Sequence, residues 1–152
     1  MTKKIHGRHG ARWLALQGLY DWGMSQRSVS QIEMDLLANE FYSKEFFQEN
    51  PIKVSCDKSY LHELLVEVTR QKSQLDEMMQ PYLDRKIQEL SPVEHALLRL
   101  SFYELKNKLE TPYKVIINEA IELAKRFGAQ DSHRYVNGVL DKAAQELRQH
   151  EK

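Results

Sequence analysis

The sequence predicts an all-α protein, a compact irregular bundle of about six or seven helices. Three observations lead there. Apolar residues recur at three- and four-residue spacing through several long stretches. No segment alternates with period two, and the six glycines and four prolines are too scattered to punctuate strands. The length of 152 residues fits one domain, residues 1–152, large enough to bury a core without a disulfide or a metal.

Before Asp21 the chain carries Lys3, Lys4, Arg8 and Arg12, joined by His6 and His9, and no acid. Gly7 and Gly10 make residues 1–10 poor helix, so a flexible basic arm is expected there until something orders it. From Ala11 a first helix begins, with Ala11, Ala15, Gly18, Leu19 and Trp22 on its core face. A second stripe, His9, Trp13, Gln17 and Tyr20, runs beside Arg12. Aromatic and amide groups next to cations suit single-stranded RNA, whose unpaired bases offer π-faces and whose phosphates need neutralising. A helix packed on two sides shows the same stripe, and spacing alone favours that packed reading.

Ser28 to Tyr42 reads as a second helix, with Ser30 and Glu33 spaced as a capping box and Ile32, Leu36 and Leu37 inward. Ser43 to Cys56, with Asn50-Pro51 at its middle, reads as an irregular connection anchored by Phe46 and Phe47. From Asp57 the helical pattern resumes in Leu61, Leu64, Leu65, Val68 and Leu75, with a kink or restart at Ser73. Pro81 falls at its end or in the first turn of a short helix. Ser91, Pro92 and Glu94 supply a cap, a first-position proline and a capping-box carboxylate. The helix that follows is apolar nearly all round and therefore central, with Arg99 snorkelling or paired to an acid.

Thr111 to Lys142 reads as two helices joined by a tight corner. Thr111 caps the first, Pro112 takes the first helical position, Ile116, Ala120, Leu123 and Phe127 face inward, and Gly128 provides a left-handed stop. Asp131 and Ser132 offer caps for the second, whose apolar face is Val136, Leu140, Ala143 or Ala144, and Leu147. The corner holds a surplus of polar groups around His133, Arg134, Tyr135 and Asn137. In a purely structural account Asp131 caps and Gly138 lets another helix come close.

The 22 basic and 22 acidic side chains cancel, so any nucleic-acid contact must come from a local patch. Catalysis finds no support: Cys56 lacks a partner motif, there is no glycine-rich phosphate loop, and the six histidines lack ligand spacing. No cofactor or metal is expected. Glu119 and Glu122, three apart, read as a solvated or salt-bridged face. The lone cysteine excludes an internal disulfide, no apolar run approaches the roughly 20 residues of a membrane span, and MTKKIHGRHG lacks a signal-peptide core. A cytoplasmic protein is expected.

The segments PYKVIINEAIELAKRFG and DSHRYVNGVLDK, with ELSPVEHALLRLSFYEL and ARWLALQGLYDW upstream, resemble the NusB family of bacterial RNA-binding transcription antitermination factors. The resemblance covers most of the chain apart from roughly Ser25 to Ser59. It implies two packed helical halves, and binding of the boxA element of nascent RNA together with NusE, a ribosomal small-subunit protein. The pair would help RNA polymerase read through terminators, particularly in ribosomal RNA operons. The family's RNA-contacting positions fall on Arg8, His9, Arg12, Gln17 and Tyr20, and on His133, Arg134 and Tyr135. Glu94 and Asp131 match acidic positions near the RNA and the partner-facing surface. The resemblance thus implies that Asp131 to Tyr135 lies beside the Arg12 and Tyr20 face.

One departure stands out. Where relatives can carry consecutive arginines, this chain reads Arg8, His9, Gly10, then Arg12, which softens the positive charge and predicts weaker binding without a basic partner. Two alternatives remain open. One is a helical adaptor or homodimer that uses the aromatic stripe as an interface. The other is a stand-alone version of the NusB-like domain of certain ribosomal RNA cytosine methyltransferases, against which the end at Lys152 leaves no room for a methyltransferase domain.

Overall fold

The computed structural model describes residues 4–38 and 53–151. The chain, read from its length as one domain, divides into two compact units, Met1–Arg70 and Gln71–Lys152. The described residues form seven α-helices.

The first unit holds α1 (Gly7–Ser25), α2 (Val29–Ala38) and α3 (Lys58–Arg70), which pack on one another. It also holds the one departure from an all-helical reading among the described residues. Strands β1 (Lys4–Ile5) and β2 (Lys53–Val54) pair in parallel, two residues each, too short for alternation to register in the sequence. Ile5 and Val54 are buried beneath this pair.

The pairing explains why helix begins at Gly7, inside the stretch expected to be poor helix. Gly7 adopts φ +64, a left-handed conformation that glycine takes without strain. Gly10 lies against the backbone of the β2 segment, where a Cβ would come within 1.9 Å of the Ser55 carbonyl oxygen. The Ser55 and Asp57 N–H groups donate to the carbonyls of Ile5 and Gly7. Gly10 is thus what close approach to the Ser55 segment requires, and Gly7 what the left-handed turn into α1 requires.

From Gly10 to Leu19 every residue of α1 is buried. At Gly18 a Cβ would stand 2.9 Å from both Leu36 and Leu65, so this glycine sets how closely α2 and α3 approach. The predicted box at Ser30 and Glu33 is replaced: Ser28 caps α2 by accepting from the Gln31 N–H, and Glu33 pairs with His62 of α3 at 2.8 Å. Leu37, expected inward, is 40% exposed. The predicted continuation of α2 to Tyr42 and most of the predicted connection, with Phe46 and Phe47, lie outside the described residues. Asp57 caps α3 through the Tyr60 N–H.

The second unit holds α4 (Lys72–Met79), α5 (Pro92–Asn107), α6 (Tyr113–Phe127) and α7 (Ser132–Leu147), with short 3-10 turns at Gln80–Tyr82, Ile87–Glu89 and Gln149–Glu151. The break before α4 falls at Gln71, two residues ahead of the expected kink. α5 is central as predicted, packing against α4, α6 and α7. Its Ser91–Glu94 capping box is complete, with both reciprocal bonds at 3.1 Å. Arg99 finds its acid in Asp76 of α4, at 2.9 and 2.7 Å.

Three terminus assignments change. α6 starts at Tyr113 with Pro112 as the residue before it, and the Tyr113 N–H is capped by the Glu151 carboxylate at 2.9 Å, so Thr111 caps nothing there. Gly128 is extended (φ −90, ψ 174); glycine is required because a Cβ would sit 2.8 Å from the Ala124 carbonyl and 2.9 Å from Ser132 Cβ. Asp131 precedes α7 without a side-chain cap bond, and the Ser132 hydroxyl donates to Glu94.

Candidate nucleic-acid interface

In the first unit the candidate residues lie along α1 between Arg8 and Tyr20. Arg8 is exposed, His9 and Tyr20 are half-buried, Arg12 is 4% exposed and Gln17 is fully buried. The structure gathers the two arginines on one ring: the guanidinium carbons of Arg8 and Arg12 lie 4.2 and 5.7 Å from the centroid of Tyr60 in α3. Both fall within cation–π range. His9 packs edge-on against Trp13, ring centroids 6.5 Å apart.

Burial splits the stripe read from the sequence. Trp13 and Gln17 belong to the core, and Gln17 donates its amide to the Trp13 carbonyl at 3.2 Å. That is the packed reading spacing alone favoured for these two positions. Tyr60 was missed altogether, since nothing in the sequence links position 60 to positions 8 and 12.

In the second unit the candidate residues surround the start of α7. Arg134 is exposed, while His133 and Tyr135 are half-buried. Over the Tyr135 ring, 3.9 Å from its centroid, sits the guanidinium of Arg85, which also donates to Asp84 at 2.9 Å. Neither Asp84 nor Arg85 was singled out from the sequence. The hydrogen bond from Arg85 holds the Asp84 carboxyl below its ordinary range. Burial, helped by the nearby charge of Asp84, pushes the Tyr135 phenol up. The Tyr135 hydroxyl is closed off from solvent. Tyr135 therefore stays neutral and presents an aromatic ring carrying a stacked cation.

The two acids expected to face a partner differ. Glu94 is spent internally, one oxygen accepting from the Ser91 N–H and the other from the Ser132 hydroxyl at 2.8 Å, which ties the start of α5 to the start of α7. Asp131 is exposed, and its carbonyl accepts from the Arg134 and Tyr135 N–H groups. Burial, then the charge of Asp57, raises the Cys56 thiol pKa and so lowers its thiolate fraction.

Chemically, the first unit thus offers an exposed arginine, Arg8, held over the buried Tyr60 ring and suited to neutralising a phosphate, while the second adds a half-buried ring, Tyr135, beside exposed arginines, suited to stacking a base as well.

A sequence profile of the NusB family matches residues 9–145. Among curated relatives, the Transcription antitermination protein NusB of Alcanivorax borkumensis is 50% identical over 141 residues, covering 93% of this chain and 87% of the relative. Among solved structures, T. maritima NusB aligns with a TM-score of 0.76 at 29% identity, covering 96% of this chain and 94% of that one. A structure of the antitermination factors NusB and NusE in complex with dsRNA aligns with a TM-score of 0.72 over 91% of this chain and 96% of that one. Its 22% identity establishes a shared fold.

Proposed function

The chain belongs to the NusB family, and from that premise we propose that it is an RNA-binding transcription antitermination factor acting on the boxA element of nascent RNA together with NusE. It is a binding protein and not an enzyme. The observation that carries the reading is the 50% identity, over nearly the whole chain, to a relative named for transcription antitermination. The acid-free start of α1 and the Arg85–Tyr135 stack at the start of α7 support it.

In this reading Arg8, His9, Arg12 and Tyr20 serve the RNA from the first unit, and His133, Arg134 and Tyr135 from the second. Arg12, nearly buried beside Tyr60, adds charge beneath the surface. Gln17, in the core, positions α1. Asp131 faces the protein partner, and Glu94 shapes that surface by fixing the start of α7. The RNA-bound pair acts on RNA polymerase. No helix among the described residues is long and apolar enough to cross a membrane, and the cytoplasm is the proposed site of action.

Binding of a boxA-like single-stranded RNA, with and without NusE, across a salt series tests this. Arg8→Ala and Arg134→Ala should each lower the salt slope by about one phosphate contact. Tyr135→Ala should cost about 1–3 kcal/mol if a base stacks there. RNA should protect the first ten residues and the start of α7 together in a footprint. Absence of RNA binding both alone and with NusE, beside a homodimer persisting at nanomolar concentration, would replace this reading with the adaptor.

A further inference from the structure

Gly138 sits in the middle of α7, where glycine is the poorest helix former after proline. The fold does not ask for it. Its φ is not left-handed, and a Cβ built there would meet nothing within 4 Å, so the helix expected to come close at this position is absent among the described residues. A glycine that costs helix stability and faces open space is what close approach of something outside the fold would require.

The open space is a cleft of about 160 Å³ in the second unit. Tyr82 and Tyr135 line it, Gly138 lies on it, and Arg134 and Lys142, one turn to either side of Gly138 on the same helix face, complete the lining with exposed side chains. Tyr82 is fixed: its hydroxyl donates to Glu146 at 2.6 Å, which lifts its pKa to about 12, and the Phe102 ring stands 6.0 Å away. Tyr135 brings its ring, since its hydroxyl is closed off from solvent. Asp84, the acid in the lining, is already paired with Arg85.

We propose that this cleft is a nucleotide subsite, in which one unpaired base of a single-stranded RNA lies against the backbone of Gly138 with Arg134 and Lys142 on the phosphates to either side. The two cations lie eight residues apart, about 12 Å along the helix axis, so they meet different phosphates of an extended strand. Aromatic walls take the face of the base, and the glycine admits it to the helix backbone. The cleft carries two cations, with Asp84 paired to Arg85 and Glu146 engaged by the Tyr82 hydroxyl at its edge, a balance that suits a phosphate-bearing ligand. This subsite rests on the RNA-binding reading above and extends it to Tyr82, Gly138 and Lys142.

Gly138→Leu tests it, because the substitution fills the cleft while improving helix propensity, and Gly138→Ala gives a graded control. Affinity for a boxA-like single-stranded RNA, alone and with NusE, is measured by fluorescence anisotropy, and folding by thermal unfolding. The expected order of affinity is wild type, Gly138→Ala, Gly138→Leu, the last weaker by about tenfold or more, with neither variant's Tm lowered. Lys142→Ala should weaken binding and lower the salt slope by about one phosphate contact. If Gly138→Leu binds like the wild type while Arg8→Ala still weakens binding, the cleft is overturned and the RNA-binding reading stands. If Gly138→Leu loses only the enhancement by NusE, the cleft is a protein contact and the proposal fails. If the wild type binds no RNA under either condition, both readings fall.

Discussion

At Asp76 one carboxylate takes hydrogen bonds from two side chains of α5, His95 at 2.8 Å and the Arg99 fork at 2.9 and 2.7 Å. Burial alone would raise its pKa, but the bonds from His95 and Arg99 outweigh burial and bring it to about 2. A pKa depressed by folding means stability that is fully present above the unfolded value near about 3.9 and lost as pH falls through about 2. The side chain is 22% exposed, so solvent screening trims the contribution to about 1–2 kcal/mol. Asp76→Asn should therefore lower stability by that amount at pH 7, and urea titrations should show the gap to wild type closing between pH 4 and pH 2, roughly the linkage window. An equal gap at both ends would rule the linkage out. The sequence marked Arg99 as a residue needing an acid; it could not say which, because that pairing spans 23 positions and exists only once α4 lies on α5. Gly10 is the residue-scale counterpart in the first unit. Gly10→Ala drives a methyl group into the Ser55 backbone carbonyl at 1.9 Å, where no flexible side chain can give way, and should cost about 3 kcal/mol or more in chemical denaturation.

Helix interiors and helix ends differ in how far the sequence reveals them. The inward stripe of α6, Ile116, Ala120, Leu123 and Phe127, is fully buried as its spacing predicts, because an apolar stripe is a local property of the chain. The box at Ser91 was legible for the same reason: all of its groups lie within four residues. Ends served by distant groups were not. The last carbonyls of α5 are closed by Arg148, which donates to Leu105 at 2.8 Å, Glu104 at 3.2 Å and Lys108 at 3.0 Å, and also to Thr111 at 2.9 Å. Glu151 pairs with Arg148 and caps α6 through the Tyr113 N–H, so the residues just beyond α7 finish two other helices. Arg148 is 4% exposed, and its removal strands several buried carbonyls together with the Glu151 charge. Arg148→Met should cost about 3–5 kcal/mol, read as a fall in denaturation midpoint at unchanged m-value. Arg148→Lys should recover only a minor part, since an ammonium cannot reproduce the planar fork that reaches four carbonyls. Full recovery by lysine would mean that charge alone, and not the fork, closes the end of α5.

For the molecule as a whole, the equality of 22 basic and 22 acidic side chains sets how it can meet a polyanion. The candidate residues could be read as a set of types on a helix face, and spacing favoured a packed face without saying which of them are covered. Spacing placed Trp13, Gln17 and Arg12 near one face of α1, and packing within the fold then buried all three. What each unit leaves at its own surface draws on groups no sequence pattern linked: Arg8 over Tyr60 in the first, and Arg85 over Tyr135 with the open flank of Gly138 in the second. With no net charge to build a long-range field, attraction to RNA must come from the few exposed cations at short range. If Arg8, Arg134 and Lys142 supply the phosphate contacts, about three counterions are released, and on a single strand the slope of log affinity against log salt should be about −2 for this chain alone. A basic partner adds its own contacts, so the slope with NusE should be steeper and the partner's benefit should shrink as salt rises. Titrations at several salt concentrations, with each protein and with the pair, measure both slopes. A slope for the chain alone as steep as that of the pair would mean that phosphates are met by more of this neutral surface than its exposed cations account for, and would remove the physical reason for a basic partner.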